Sequence, residues 1–202
     1  MQQHRNPMPN LGRMMVFVDG ENLVFRYQAM IEEGLIPHTN VEHDKDVFVW
    51  NARCVRPGLH HVIRASYYTY ATGSEETIIN KCENIKSLTF GQYSVAGQPS
   101  TSQLINNLHP RIFRKIKGKK AKGVDIQMTV DILSNVYQNN LDTIYLISGD
   151  GDYKPVIEEA MRFGKQVFIG ALSSGLNKEL KYLADKFIDL DPYYVTEAVI
   201  DK

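Results

Sequence analysis

The sequence predicts an α/β protein with a mainly parallel central sheet, and two patterns carry that prediction. Short apolar runs at 13–18, 144–148 and 166–171 end in glycine, acidic or small polar residues, which is typical of strands buried on both faces. A stretch with helical periodicity follows each run, as in successive β–α units. The length of 202 residues suits one sizeable domain. We expect a disordered amino-terminal tail over 1–12, the domain over 13–190 and a carboxyl-terminal tail over 191–202.

Two of the predicted strands end in similar turns. The first runs into Asp19-Gly20-Glu21-Asn22, and the strand 144–148 runs into Gly149-Asp150-Gly151-Asp152. The carboxyl ends of parallel strands share one edge of a sheet, where ligands bind. If these two strands are neighbours, Asp19, Asp150 and Asp152 come together. Clustered carboxylates repel, and a shared proton or a divalent cation relieves the repulsion. Mg²⁺ and Mn²⁺ prefer oxygen ligands and suit such a site.

The other elements are predicted from local pattern. The stretch 22–31 is an amphipathic helix, 47–50 is ambiguous between strand and helix, and 61–71 is a strand rich in β-branched and aromatic residues. Ser74 is expected to cap a helix that extends to Ser87. The Gly-, Ser-, Gln- and Asn-rich stretch 89–110 predicts a loop, a candidate flap over the site.

A further helix is predicted after Gly123. Apolar residues at i, i+4, i+7 and i+11 predict one buried stripe, which consists of Ile126, Val130, Leu133 and Tyr137. Asp125 lies in the first turn of this helix, where the helix dipole favours a carboxylate. Asp131, six residues later, points in another direction and is assigned a structural role.

Composition excludes several classes of protein. Apolar residues make up 43% and charged residues 23% of the chain, as in globular proteins. Two cysteines provide neither a disulfide framework nor a zinc cluster, which suits a reducing compartment. The sequence has no long apolar run and its first residues have no secretory pattern. We therefore expect a cytoplasmic protein with no membrane contact.

The charge is balanced overall but unevenly distributed. The chain has 23 basic and 23 acidic residues, yet the segment from Arg111 to Lys122 contains seven Lys or Arg and no acid. The rest of the chain is therefore acidic. The basic segment is either a solvated loop or a contact for phosphates, and it leads directly to Asp125.

The acids suggest chemistry because other catalytic patterns are missing. The sequence contains no GxSxG, GxxxxGK[ST] or GxGxxG motif, which disfavours hydrolase triads, P-loop enzymes and dinucleotide enzymes. Carboxylates without a protein nucleophile suit water activated by a divalent cation at a phosphodiester. Basic residues would bind the rest of the polyanion.

Four segments in order resemble the NYN domain, a branch of the PIN-like nuclease superfamily, and within it the bacterial LabA-like group. They are VFVDGENL, KGVD before an apolar helix, SGDGDYKPVI and SSGLNKEL. The resemblance spans about 13–190. It implies a PIN-like three-layer α/β/α sandwich and Mg²⁺- or Mn²⁺-dependent cleavage of RNA, single-stranded or structured. It leaves the oligomeric state open, a dimer included.

The resemblance also implies roles for individual residues. Four aspartates match the family's acids and are expected to bind the metal and act in catalysis: Asp19, Asp125, Asp150 and Asp152. Three further residues match the family's segments and are expected to contact substrate: Asn22, Ser148 and Lys122. Lys119 and Lys120 are expected to contact phosphate because they lie in the basic segment. Ser174 lies on the predicted rim of the sheet, where phosphate contact and helix capping are equally favoured.

Other interpretations stay open at this point. Asp-Gly pairs are ordinary turn residues, and Asp152 or Asn22 is also suited to capping a helix. Glu21 is expected to point to solvent. The main hypothesis is a metal-dependent (endo)ribonuclease; its rivals are a slow or non-catalytic RNA-binding module that keeps the acidic pocket, and a phosphatase or nucleotidyl-transfer site of the DxD type.

Overall fold

The structure is a computed structural model, and it describes residues 12–55, 60–94, 103–115 and 123–197. The helices, in chain order, are α1 (Gly20–Glu32), α2 (Glu75–Ser87), α3 (Val124–Tyr137), α4 (Lys154–Arg162), α5 (Leu180–Leu183) and α6 (Asp191–Tyr194). Single turns of 3-10 helix lie at Ala52–Cys54 and Gly151–Tyr153. The strands are β1 (Arg13–Asp19), β2 (Ile36–Pro37), β3 (Glu42–Asp44), β4 (Phe48–Trp50), β5 (His61–Ala71), β6 (Thr89–Ser94), β7 (Gln103–Asn107), β8 (His109–Arg114), β9 (Thr143–Ile147), β10 (Gln166–Ala171), β11 (Lys186–Asp189) and β12 (Val195–Thr196).

Six strands form a parallel sheet in the order β11-β10-β9-β1-β5-β8. The chain starts in the middle with β1, adds β5 and β8 on one side, and then returns to add β9, β10 and β11 on the other. This reversal places β1 beside β9, with Val18 opposite Ile147. The crevice at such a reversal is where open α/β sheets bind ligands. The predicted parallel sheet is confirmed, and the two turns are neighbours.

Helices cover both faces of this sheet because its strands are apolar on both sides. Met14, Val16 and Val18 of β1 pack into a core on the side of α1 and α2. Met15 and Phe17 pack into the core formed with α3, α4 and α5. Since successive strand residues point to opposite faces, the uninterrupted run builds both cores. The result is the expected three-layer α/β/α sandwich.

The described parts of the stretch 89–110 form strands at the amino edge of the sheet and not the predicted loop over the carboxyl edge, while residues 95–102 of that prediction lie outside the described residues. β6 and β7 pair as an antiparallel hairpin, and β8 begins at His109. The backbone N–H of Leu108 donates to the carbonyl of Leu88 at 2.9 Å, which closes the base of the hairpin. β8 is parallel to β5, so it begins at the amino edge of the sheet. The base of the hairpin directly precedes β8 and therefore lies at the edge opposite the aspartates.

The buried face of α3 also differs from the prediction. Ile126, Val130 and Tyr137 are 68%, 49% and 53% exposed. The buried stripe instead consists of Val124, Met128, Ile132 and Val136. Both stripes are apolar and have helical spacing, so periodicity alone did not distinguish them; packing against the sheet did.

The end of the described chain packs onto the domain. β12 pairs antiparallel with β2, and the Tyr194 side chain of α6 is fully buried in the core on the α1 side. In the described ranges, no helix combines the length and the apolar character that a membrane crossing requires.

Candidate functional site

A network of hydrogen bonds fixes the turn after β1 against the turn after β9. The Asp19 carboxylate is buried, and its Oδ1 accepts from the backbone N–H of Asn22 at 3.0 Å, so Asp19 caps α1. Its Oδ2 accepts from the hydroxyl of Ser148 at 2.9 Å. The Ser148 Oγ in turn accepts from the backbone N–H of Asp150 at 3.1 Å. Asp19 is thus held in one orientation by both turns.

Asn22 provides a second bridge between the two turns. Its side-chain Oδ1 accepts from the backbone N–H of Gly149 at 3.1 Å. The structure therefore gives Asn22 and Ser148 contacts that order the acids; both were expected to contact substrate.

Two glycines of these turns lie in close contact with neighbouring strand ends. A Cβ on Gly20 would lie 2.2 Å from the Tyr67 ring and 2.7 Å from the Tyr68 carbonyl oxygen. A Cβ on Gly151 would lie 2.1 Å from Nδ2 of Asn177. Asn177 belongs to the turn after β10, and its backbone N–H donates to the Gly149 carbonyl at 2.9 Å. Three consecutive strand ends are therefore packed against one another.

Asp125 joins the site from the opposite layer. α3 begins after Gly123, whose φ of +102° is in the left-handed region that favours glycine, and the exposed Asp125 lies in the first turn. The buried Tyr153 donates its hydroxyl to Oδ1 of Asp125 at 3.3 Å. Burial and then the charges of Asp19, Asp125 and Asp150 raise the pKa of Tyr153, so it remains a donor. Sequence reasoning missed this role because Tyr153 has the pattern of a core residue.

Asp125 and Asp150 lie close enough to Asp19 for their charges to affect its ionisation. Burial raises the pKa of Asp19 to about 7. The hydrogen bonds from Asn22 and Ser148 oppose this increase, and the charges of Asp125 and Asp150 add to it. A buried carboxylate with two acidic neighbours is the environment that a divalent cation stabilises.

Glu21 also faces this region, whereas we expected it to point to solvent. It is half-buried. Burial raises the pKa of Glu21; a hydrogen bond with Tyr70 and the charge of Lys115 oppose the increase, and the charge of Asp125 adds to it. Tyr70 lies at the end of β5, the other neighbour of β1. The sequence carried no signal of this contact, because it depends on β5 lying beside β1.

Asp152 and Ser174 lie on the outer side of the site. The Asp152 side chain is exposed, while its backbone N–H donates to Oδ1 of Asp150 at 2.9 Å. Asp150 and Asp152 line an open cleft of about 480 Å³ together with Lys154 and Asn177. Ser174 is half-buried in the turn after β10 that also contains Asn177.

The basic segment divides into a described and an undescribed part. Lys119, Lys120 and Lys122 lie outside the described residues. Arg111 is in β8 and forms an ion pair of 2.8 Å with Asp131, which also accepts from the Tyr68 hydroxyl at 2.8 Å. Asp131 thus has the structural role that was predicted.

The donor atoms of the site fit a small hard cation. All are oxygens, and the buried Asp19 has two acidic neighbours, as Mg²⁺ and Mn²⁺ require. Among the described residues, no three His, Cys, Asp or Glu side chains already form a set that could hold one ion directly. The three carboxylates are therefore close to one another without being arranged as a direct coordination set.

A six-stranded parallel sheet with aspartates at the reversal of its strand order is consistent with a PIN-like α/β/α fold. The NYN domain family model matches residues 13–191. The chain belongs to the NYN domain family.

Individual relatives agree with the fold. An uncharacterized protein of Methanocaldococcus jannaschii is 34% identical over 70 residues, which are 35% of this chain and 29% of that protein. The crystal structure of a protein of unknown function from Vibrio parahaemolyticus superposes with a TM-score of 0.57 at 19% identity, over 92% of this chain and 96% of that one. At that identity the likeness shows the fold alone.

Proposed function

We propose that the protein is a metal-dependent ribonuclease that hydrolyses phosphodiester bonds of RNA. The observation that carries the proposal is the convergence of Asp19, Asp125 and Asp150 at the crevice between β1 and β9, with Asp19 buried and its pKa raised to about 7. NYN domain membership supports a nuclease. The choice of RNA rests on the resemblance of the four sequence segments.

Some side chains of the site would bind the cation, and others position the side chains that bind it. Asp19, Asp125 and Asp150 would bind Mg²⁺ or Mn²⁺. Ser148 and Asn22 keep Asp19 and the Gly149 turn in register, and Tyr153 orients Asp125. Asp152 lies beside Asp150 on the open cleft, where it can accept a proton from an attacking water.

When bound, the divalent cation supplies charge neutralisation at the phosphodiester and a water of lowered pKa. The protein's own contribution is to hold carboxylates where the substrate phosphate arrives. The rigid hydrogen-bond network keeps Asp19 from turning away while no cation is bound. Lys119, Lys120, Lys122 and Ser174 remain proposed phosphate contacts.

The second candidate is an RNA-binding module that keeps the acidic pocket and turns over slowly. The one observation in its favour is that no three acids already form a direct coordination set in the described ranges.

A cytoplasmic location and membership of the LabA-like group complete the proposal. The two cysteines, Cys54 and Cys82, are free thiols, which agrees with a reducing compartment.

The test compares the parent with Asp150→Asn. Cleavage of a labelled RNA is followed with Mn²⁺, with Mg²⁺ and with EDTA. The parent is expected to cleave with either metal and to stop in EDTA, and Asp150→Asn is expected to lose cleavage by at least about a hundredfold. Asp185→Asn is the matched control, since Asp185 accepts from the Val167 backbone N–H at the start of β10, at the opposite edge.

Each outcome separates the candidates. Product formation by Asp150→Asn at the parent rate removes Asp150 from the site. RNA binding that survives EDTA without any product favours the binding module. Hydrolysis of mononucleotides without hydrolysis of polymers favours a phosphatase.

A further inference from the structure

A second pocket lies beside the acids on the α1 side of the sheet, and we call it the lysine pocket. Its volume is about 470 Å³, within the range of about 300–1,000 Å³ that is usual for small-molecule sites. Lys45, Lys81 and Lys115 line it, together with the aromatic side chains of Phe25 and Tyr70. Basic and aromatic side chains that share a concave surface are the components of a nucleotide site.

The cations of the lysine pocket outnumber its acids. Lys45 is exposed, and the ammonium of Lys115 lies 4.2 Å from the centre of the Tyr70 ring. Lys81 is half-buried and forms an ion pair of 3.0 Å with Asp44. Among the residues that the structure describes, Asp46 is the acid in the lining, and its carboxylate accepts from the Gln28 side chain at 2.8 Å. Lys45 and the ammonium of Lys115 above the Tyr70 ring are therefore the cations that a phosphate would meet in this pocket.

The apolar wall of the pocket can accept a base. Phe25 is 40% exposed on α1, so its ring is accessible from the pocket. Val47 and Ala71 complete the wall beside it. Stacking on an aromatic side chain tolerates any base, because every base has a π-face.

Glu21 connects the lysine pocket to the aspartates. It interacts with Tyr70 and Lys115 on one side and with Asp125 on the other. A strand of nucleic acid whose scissile phosphate lies at the aspartates would therefore place an adjoining nucleotide in the pocket. The open cleft beside Asp150 continues the path in the other direction.

A different basic pocket lacks these properties. It lies between β5, β8 and α3 and is lined by Arg64, His109, Arg111 and Asp131. Its volume is about 140 Å³, and Arg111 is already paired with Asp131. Its volume is too small for a nucleotide.

We propose that the lysine pocket binds one unstacked nucleotide of single-stranded RNA next to the bond that is cut. This inference rests on the proposed ribonuclease function and specifies its substrate. A base in a duplex is stacked and paired, so it cannot lie against Phe25. Single strands are therefore bound and cleaved in preference to duplexes.

The test measures binding and cleavage separately. Binding of a short fluorescent oligouridine is followed by fluorescence anisotropy in EDTA, where the proposed reaction cannot proceed. Phe25→Ala is expected to weaken binding about tenfold or more, and Lys45→Glu to weaken it and to reduce its salt dependence. Phe163→Ala and Lys165→Glu are the matched controls: Phe163 is 53% exposed, and both residues follow α4, away from the carboxyl edge. Both controls are expected to bind within about twofold of the parent.

Three results would overturn the inference: equal binding by all four variants, a parent that binds a duplex as tightly as the single strand, or a parent that binds no RNA. Lys45 is exposed, so its variant keeps the fold even if Phe25→Ala does not. Cleavage with Mn²⁺ is measured on the same proteins. If the parent cleaves RNA and all variants bind RNA equally, the nucleotide-binding role of the lysine pocket is contradicted and the ribonuclease function is not. A parent that never cleaves overturns the ribonuclease, and the EDTA binding data still decide the pocket.

Discussion

The Ser148 hydroxyl donates a 2.9 Å hydrogen bond to the buried carboxylate of Asp19, across 129 positions of sequence. Both residues end strands of the same sheet, and the bond holds the two turns in register. The network makes Asp19 the most constrained of the four aspartates. It also means that the acids are ordered before any cation arrives.

Ser148→Ala removes two hydrogen bonds, one donated to Asp19 and one accepted from Asp150. We expect the free energy of unfolding to fall by about 1–3 kcal/mol, since the buried Asp19 oxygen loses its donor. The pKa of Asp19 is expected to rise further, because the Ser148 bond lowers it. Urea denaturation in EDTA provides the measurement, with the exposed Ser173→Ala as control. Equal stability of the two variants would show that the bond contributes little.

Asp19 makes the metal-free protein less stable as pH rises. Its folded pKa of about 7 exceeds the ordinary carboxyl value, so the folded state binds a proton more tightly than the unfolded state does. The free energy of unfolding therefore falls as the pH rises from about 4 to 7 and this proton is lost. Asp19→Asn keeps an oxygen for the Asn22 N–H and removes the charge. The free energy of unfolding of Asp19→Asn minus that of the parent should therefore increase by about 2–3 kcal/mol from pH 5 to pH 8. Denaturation of both proteins in EDTA at the two pH values checks this, and a constant difference would contradict it.

Tyr153→Phe tests whether the hydroxyl on Asp125 positions a metal ligand. The ring stays packed, and one donor at 3.3 Å is lost. We expect Mn²⁺ affinity to fall about tenfold, as for other groups that orient a ligand. Isothermal titration calorimetry gives the affinity. Tyr145→Phe is the control because its buried hydroxyl donates to the Cys54 carbonyl at 3.0 Å, and it should bind Mn²⁺ as the parent does. Equal affinities for both variants would remove Tyr153 from the site.

Asp142→Asn tests the opposite edge of the sheet. Asp142 accepts from the Arg13 backbone N–H at 2.7 Å and from its guanidinium at 3.1 Å. These bonds lower the pKa of Asp142 to about 2, so its stabilisation is present above about pH 4 and is lost as pH falls toward 2. A small drop in Tm at pH 7 with unchanged cleavage is expected, since both partners are about two-fifths exposed. A Tm difference from the parent that persists at pH 2 would contradict this assignment.

The sequence was sufficient to predict the sheet and much of its edge. β10 spans the predicted 166–171, and α2 begins after Ser74 as expected, with the Ser74 hydroxyl accepting from the Thr77 N–H. These elements were predictable because apolar runs and capping residues act locally. That Asp19 and Asp150 would be near each other depended on β1 and β9 being neighbours, which no local pattern determines.

The failures have a common cause in tertiary packing. α3 has two apolar stripes, and contact with the sheet selects the one with Met128 over the one with Ile126. Glu21 turns toward Tyr70 because β5 lies beside β1. Tyr153 combines core packing with a hydrogen bond to Asp125. Periodicity shows which faces of a segment are apolar. The buried face of α3 and the contacts of Glu21 and Tyr153 depend instead on which element packs against each of them.

Crystals soaked in MnCl₂ and measured at a wavelength where manganese scatters anomalously test the central claim most directly. The account predicts an anomalous peak in the space between the Asp19, Asp125 and Asp150 carboxylates, and no peak there in Asp150→Asn. A parent crystal with no peak at this position, or with manganese bound only elsewhere on the surface, would contradict it.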